Sequence, residues 1–400
     1  MKEDQEEPRY NFATLAIHGG QEGENPAHAL NYPIFMTSTF TFRDLKHAGD
    51  TFSFATDDYV YTRGNNPTIR LLERRMALLE GGADAVAFAS GMAAISSTLL
   101  SLLKTGEEIV SHQVIYGSSY KLIKEVLPQF GIKTKLVDLS QAGNLEAVVG
   151  EKTRVIYLET PANPNLEVLD IQRICQSAKE HGIKVVVDNT FATPYFQKPL
   201  ELGADVVVHS ATKYISGHGD VVAGLAVGKE QEYVHNLKFN YLTEFGGVLS
   251  PFSAWLLLRG LKTLGVRMKQ HQQNAQMVAD FLAEQDVVKK VYYPGLETFP
   301  GHQLASQQMS GFGAVLSFEV AGGQEAAREV VNSLQLIKLA VSLGDTETLV
   351  EHPFSMTHRD YSQEELAKMG LNSDLIRLSI GLEDVRDLFR DLEQALQLIG

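Results

Sequence analysis

Lys213 follows an apolar run, Val206-Val207-Val208, and closes the pattern Ser210-Ala211-Thr212-Lys213. A lysine at the end of a buried strand, beside two small hydroxyls, suits one kind of chemistry. The amine condenses with an aldehyde, and the hydroxyls donate to a phosphate. Pyridoxal 5'-phosphate (PLP) carries both groups. A surface lysine in a turn shares the same local pattern, so the neighbouring strand ends must decide.

In doubly wound sheets, ligands sit at the carboxyl ends of strands. The run Ala85–Ala89 ends at Ser90-Gly91-Met92, where a helix begins at once. Free backbone N–H groups, a hydroxyl and the positive end of the helix dipole make an anion site there. The same Ser-Gly pair also simply caps helices. The strand Val185–Val187 ends at Asp188-Asn189-Thr190. A carboxylate at the end of an apolar strand is costly without a cation. A protonated pyridine nitrogen would serve, and protonation keeps the ring an electron sink. Capping of the next element is the other reading. A short crossover between Asn189 and Asp205 would bring Asp188 and Lys213 to nearby strands.

Further residues suit the same ligand. Tyr116 follows Ile109–Val114, placed either to stack on a ring and exchange a proton or to pack before a helix. Tyr61-Thr62-Arg63 pairs a phenol with a guanidinium, and both suit phosphate. Arg377 lies in the strand-like Leu375–Ser379 and must meet a carboxylate, either a substrate's or a structural partner's. The twelve histidines show no metal spacing, and His209 and His218 read as supporting residues. No Gly-x-Gly-x-x-Gly, Walker loop or serine nucleophile elbow is present.

The elements that must position these groups follow from periodicity. Helices are expected over Thr68–Leu79, Met92–Leu103, Ser118–Phe130 and Ile171–His181. Strands are expected at Ala85–Ala89, Glu108–Ser111, Thr134–Val137, Val155–Leu158, Lys184–Val187 and Asp205–Val208. This alternation implies a largely parallel sheet covered on both faces. Residues 10 to about 60 have little periodicity, as expected of a segment that packs on another subunit. Beyond Pro251 a long helical stretch, Phe252 to about Gln285, leads to strands at Val287–Tyr292, Ala314–Phe318 and Leu375–Ile380. A final helix is expected over Asp384–Ile399. That pattern suggests a smaller α+β domain.

Composition narrows the class. The chain has 400 residues, 44% hydrophobic, with a formal net charge of −14. An acidic balance disfavours nucleic acid or an anionic membrane as partner. No apolar run reaches the length of a transmembrane helix, and the acidic Met1–Pro8 stretch lacks the order of a secretory signal. The first eight residues are expected to be loose. Cys175 is the only cysteine, so no intrachain disulfide can form. It shares a helix face with Ile171, Ile174 and Ala178 and reads as a core residue. A cytoplasmic protein is expected.

Taken together, these residues resemble the Cys/Met-metabolism family of PLP-dependent enzymes, of fold type I. The matching pieces include Tyr61-Thr62-Arg63, Ala89-Ser90-Gly91-Met92, Tyr116-Gly117, Glu159-Thr160-Pro161-Ala162-Asn163-Pro164, Val187-Asp188-Asn189-Thr190, Ser210-Ala211-Thr212-Lys213-Tyr214 and Arg377-Leu378-Ser379. They run nearly the whole chain in family order. The resemblance implies an α/β fold with a mostly parallel seven-stranded sheet. Its layout would be an N-terminal segment (1–62) contacting a neighbouring subunit, a large PLP-binding domain (63–260) and a small C-terminal α+β domain (261–400). It further implies that Lys213 binds the cofactor aldehyde and moves protons. Asp188 would pair with the pyridine nitrogen. Tyr116 would stack on the ring and act as acid. Ser90, Gly91, Met92, Ser210 and Thr212 would hold the phosphate, reached by Tyr61 and Arg63 of a second subunit. Arg377, Ser342 and Asn163 would bind the substrate carboxylate. The family is typically a homotetramer, a dimer of active dimers.

Within the family, Val341-Ser342-Leu343-Gly344-Asp345 through His352-Pro353 and Ser355-Met356-Thr357-His358 is most similar to the L-methionine γ-lyases. Apolar Val60 and Val341 suit a thioether methyl, where enzymes for cystathionine tend to carry glutamate. Three positions depart from that branch or hint at a wider substrate range: Ser118 in place of cysteine, Thr243 in place of lysine, and Lys121. The expected reaction is α,γ-elimination of L-methionine to methanethiol, 2-oxobutanoate and ammonia. The alternatives are a cystathionine or homocysteine γ-lyase, or a γ-replacement enzyme such as cystathionine γ-synthase or O-acetylhomoserine sulfhydrylase.

Overall fold

A computed structural model of the chain describes residues 10–21, 25–141, 143–357, 359, 361, 364, 366 and 369–400. The Met1–Pro8 stretch, expected to be loose, and His358 of the quoted motif lie outside the described residues.

Seven strands form the larger sheet: β1 (Asp84–Phe88), β2 (Glu108–His112), β3 (Lys133–Val137), β4 (Thr153–Glu159), β5 (Lys184–Asp188), β6 (Val206–Ser210) and β7 (Gly224–Gly228). Their order is β1-β7-β6-β5-β4-β2-β3. All pairings are parallel except those of β7, which runs antiparallel to both β1 and β6. Side chains of β4, β5 and β6 alternate between two apolar clusters, one on each face. This is why those strands read as unbroken valine, isoleucine and leucine runs. Strands β5 and β6 are neighbours, linked by a connection whose only helix is the four-residue Thr193–Phe196.

A second sheet holds β8 (Val288–Tyr292), β9 (Val315–Val320), β10 (Lys338–Leu339), β11 (Leu349–Glu351) and β12 (Leu375–Ser379), in the order β10-β11-β12-β9-β8. Strands β12 and β9 pair antiparallel, as do β11 and β12.

Several details differ from the periodicity. The stretch expected as one helix after Pro251 is two, Pro251–Leu261 and Leu264–Ala283, broken at Lys262-Thr263. The helix expected from Ser118 is a short α-turn, Gly117–Lys121, that continues as π and then 3-10 helix to Phe130. Among its described residues the segment before residue 60 contains two short α-helices, Phe12–His18 and Leu45–Phe52, and one 3-10 turn, Pro26–His28. Asp44 caps Leu45–Phe52 by accepting from the His47 N–H, which satisfies one free N–H of its first turn.

Candidate functional site

The carboxyl ends of β1, β4, β5 and β6 open into one cavity of about 250 Å³. Lys213 lies on its wall, three residues past the end of β6. Its Nζ donates to Ser342 Oγ at 3.1 Å. Burial, and then the charge of Arg377, hold the amine below its ordinary pKa, while Asp345 and Glu351 oppose that shift.

Ser90 caps the helix Gly91–Leu102, its Oγ accepting from the Ala93 N–H at 3.1 Å. Gly91 lies so close to β6 that an added Cβ would sit 3.0 Å from Ser210 Cβ. The glycine therefore keeps open the space between a helix N-terminus and the Ser210 hydroxyl. Thr212 Oγ1 bonds reciprocally with Ala223, accepting from its N–H at 2.9 Å and donating to its carbonyl at 3.2 Å. Ser90, Gly91, Met92, Ser210 and Thr212 all line the cavity with Lys213.

Asp188 ends β5 and is buried. Its Oδ1 accepts from the Thr190 N–H at 3.1 Å and the Thr190 hydroxyl at 2.5 Å, and its Oδ2 accepts from the Tyr157 hydroxyl at 3.3 Å. Thr190 Oγ1 also accepts from the Ser210 N–H at 2.8 Å. One threonine thus ties the end of β5 to the end of β6. Burial raises the Asp188 carboxyl above its ordinary pKa, against these hydrogen bonds.

Arg377, on β12, is 4% exposed. Its Nη1 donates to Asn163 Oδ1 at 2.9 Å and its Nη2 to the Ser342 carbonyl at 2.8 Å. Nη1 also lies 2.9 Å from Glu351 Oε1. The two alternatives for Arg377 are therefore both present in geometry: a structural carboxylate partner, and a wall position in the cavity. Tyr116 lines the cavity and is 39% exposed. Val341 lies on the same wall; Ser118 and Lys121, on the helical turn after Tyr116, do not line it.

Tyr61, Arg63 and Val60 are not brought to Lys213 within the chain. They line a separate cavity of about 670 Å³, together with Thr243. The Arg63 guanidinium stands 5.5 Å from the Tyr61 ring centre.

Two carboxyls in the cavity wall had no assigned role in the sequence, Glu159 and Glu351. Glu159 ends β4 and is the register partner of Asp188. Its Oε2 accepts from the Tyr116 N–H at 2.8 Å and its Oε1 from the Asn163 N–H at 3.1 Å. Burial, and then Asp188 beside it, push its carboxyl up to about 8. The strand-end argument used for Asp188 applies equally to Glu159 and Glu351, so the signal was available. Cys175 is buried with Ile171, Ile174 and Ala178, and burial pushes its thiol up to about 12. His209 is also buried, with Nε2 2.6 Å from Glu80 Oε1. Among the described residues no group of three His, Cys, Asp or Glu side chains is placed to hold a metal. No helix among them is long and apolar enough to cross a membrane.

The chain is similar to characterised proteins over almost its whole length. It is 49% identical over 387 residues to an L-methionine γ-lyase of Pseudomonas putida, covering 96% of this chain and 97% of the relative. It is 48% identical over 396 residues to an L-methionine γ-lyase of Fusobacterium nucleatum subsp. polymorphum, covering 98% and 100%. Its fold superposes with a TM-score of 0.94 on a Campylobacter jejuni protein described as an O-acetylhomoserine (thiol)-lyase, at 35% identity and covering 97% of this chain and 100% of that one. That crystal structure contains N'-pyridoxyl-lysine-5'-monophosphate. The model of the Cys/Met metabolism PLP-dependent enzymes matches residues 13–397, and with the lysine, the strand-end carboxylate and the capped helix meeting in one cavity, the chain belongs to that family.

Proposed function

We propose that the chain cleaves the C–S bond of L-methionine by α,γ-elimination, which with one water yields methanethiol, 2-oxobutanoate and ammonia. The observation that carries this reading is the single cavity joining Lys213, Asp188, Tyr116 and Arg377 beside the apolar Val341 and Val222. An apolar wall suits a thioether methyl, and the similarity to L-methionine γ-lyases supports the same substrate.

The donor set fits PLP. A dianionic phosphate suits the Ser90-capped helix start and the hydroxyls of Ser210 and Thr212, in the space that Gly91 keeps open. Asp188 suits the pyridine nitrogen and Lys213 the aldehyde. When bound, PLP supplies an aldehyde that captures amines and a ring that takes up electron density from the substrate α-carbon.

The chain's own groups carry the rest. Asp188, fixed by Thr190 and Tyr157, holds a proton on the ring nitrogen. Lys213 Nζ takes the α-proton and then a β-proton, whose electron pair expels the γ-sulfur, and its lowered pKa makes the neutral amine more accessible. The Tyr116 hydroxyl delivers a proton to the departing sulfur. Arg377 orients the α-carboxylate, with Asn163 and Ser342 fixing the guanidinium. Tyr61 and Arg63 reach the phosphate of a second subunit. This is supported by their separation from Lys213 within one chain and by the exposed apolar side chains Leu30, Met36, Leu45, Phe52 and Phe54 on the same N-terminal segment. An obligate dimer follows from such sharing; the pairing of two dimers, and domain divisions near residues 62 and 260, rest on the family resemblance. An acidic chain with one buried thiol supports a cytoplasmic location.

Steady-state kinetics with methionine, homocysteine, cystathionine and O-acetylhomoserine test the substrate. The expected outcome is the highest kcat/KM for methionine; a value for cystathionine well above it overturns the proposal. A visible absorption band removed by borohydride, and missing in Lys213→Ala, tests the lysine. Mixing Lys213→Ala with Arg63→Ala chains tests the shared site. Partial recovery of activity is expected in mixed oligomers, and no recovery overturns it.

A further inference from the structure

Glu351 and Arg377 are register partners on β11 and β12. Their side chains are 0% and 5% exposed, and Glu351 Oε1 lies 2.9 Å from Arg377 Nη1. Both line the Lys213 cavity. The pair is not closed. Glu351 Oε2 and Arg377 Nε are buried, and neither has a hydrogen-bond partner among the described residues. Glu351 Oε1 receives one further, long contact, from the Thr357 hydroxyl at 3.4 Å.

An ion pair that served only the sheet would be expected to satisfy its remaining atoms within the sheet. This one leaves an acceptor and a donor unused in the wall of a ligand cavity. The guanidinium has five N–H groups. Nη1 donates to Asn163 and stands beside Glu351, and Nη2 donates to the Ser342 carbonyl. Nε and the second Nη2 hydrogen remain, enough for the two-donor recognition of a carboxylate. The positive charge that would attract such a carboxylate is already matched by Glu351. An incoming carboxylate must share the guanidinium with a like charge at close range.

We propose that Glu351 is an internal counter-ion that weakens α-carboxylate binding at Arg377, and so sets the substrate concentration at which the enzyme works. This rests on the reading of Arg377 as the carboxylate site. Glu351 keeps Arg377 paired while the cavity is free of substrate. Its like charge then limits how tightly an amino acid is held, and the loss falls on KM more than on kcat.

The test uses the PLP-loaded enzyme and propionate, a carboxylate without an amine. Propionate inhibition against methionine and the propionate-induced rise in Tm are measured in wild type, Glu351→Gln, Glu351→Asp and Arg377→Lys. Glu351→Gln is expected to bind propionate roughly tenfold tighter, the scale of one like charge a few ångströms away in a partly solvated site. Its KM for methionine falls in step. Its Tm without ligand falls, because Arg377 loses its partner, and propionate raises that Tm by more than in wild type. Glu351→Asp, which draws the charge back by one methylene, gives a smaller gain of the same sign. Unchanged or weaker propionate binding in both Glu351 variants, with binding lost in Arg377→Lys, overturns the counter-ion and leaves the Arg377 reading intact. Propionate binding unaffected by Arg377→Lys overturns the Arg377 reading and the counter-ion with it.

Discussion

Replacing Glu159 by glutamine should cost catalysis far more than stability. The buried carboxyl holds two backbone N–H groups, one on each oxygen, those of Tyr116 at 2.8 Å and Asn163 at 3.1 Å. Tyr116 is the proposed acid, and the Asn163 side chain receives Arg377. One buried side chain therefore fixes the spacing between the two ends of the substrate site. Glutamine has the same shape but only one acceptor oxygen. Whichever way its amide turns, one backbone N–H faces another donor. An unmet buried N–H costs about 1–3 kcal/mol. If that loss appears in the positioned transition state, kcat/KM falls by about 5- to 150-fold. Global stability should change by less than about 1 kcal/mol, because the substitution also removes the cost of keeping a buried carboxyl protonated next to Asp188.

The same variant makes a prediction about pH. The native chain keeps the Glu159 proton up to about 8, whereas the unfolded chain releases it in the ordinary carboxylate range. The stability of the cofactor-free protein therefore falls as pH rises across that window and levels off above it. Glu159→Gln lacks this contribution, so the wild-type and variant stability curves should converge toward high pH or cross. Urea unfolding at several pH values, steady-state kinetics and the visible circular dichroism of bound PLP together measure all three effects. An unchanged kcat/KM and an unchanged dichroism in a folded variant would refute the positioning argument.

Other changes have defined outcomes. Lys238→Met removes the partner 2.5 Å from the buried Glu73 Oε2, and should lower unfolding free energy by about 3 kcal/mol in urea melts, the low end for a broken buried pair because Arg70 lies 3.6 Å away. Gly224→Ala would place a Cβ 2.1 Å from the Ser90 carbonyl oxygen. PLP affinity of the purified protein, followed by fluorescence titration, should drop by at least about tenfold as the helix start is displaced. Cys175 should resist iodoacetamide in the native protein and react after denaturation, since burial holds its thiol high.

Much of the larger sheet was legible because its strands are buried on both faces. Strands β1 to β6 each lie within a residue or two of their expected ends, and all but the edge strand β3, Lys133-Thr134-Lys135-Leu136-Val137, are largely buried runs. Strand β7, Gly224-Leu225-Ala226-Val227-Gly228, was not legible. Its terminal glycines read as turn signals, yet Gly224 is needed where the backbone meets Ser90. Strands β10 and β11 have two and three residues, too few to show any period. The break at Lys262-Thr263 carries neither glycine nor proline at the break itself. In the site, Lys213, Asp188 and Ser90 could be found because each ends an apolar run. Glu159 and Glu351 do so too, but their partners are backbone N–H groups and an arginine distant in sequence, which no local pattern displays.

The order β1-β7-β6 also has a consequence for how the protein is made. Strand β1 has one strand neighbour, β7, and 135 residues separate the end of the first from the start of the second. On the ribosome, β1 must wait with an unpaired edge until residue 228 has emerged. Strand β7 lies between β1, which leads into the helix start at Ser90, and β6, which ends at Ser210. Long-range pairing of this kind is slow and leaves strand edges exposed meanwhile. A nascent chain cut before Gly224 would lack the strand that joins the two halves of the anion site. Cofactor capture should therefore be a late event in biogenesis, and the half-made chain a natural client for chaperones.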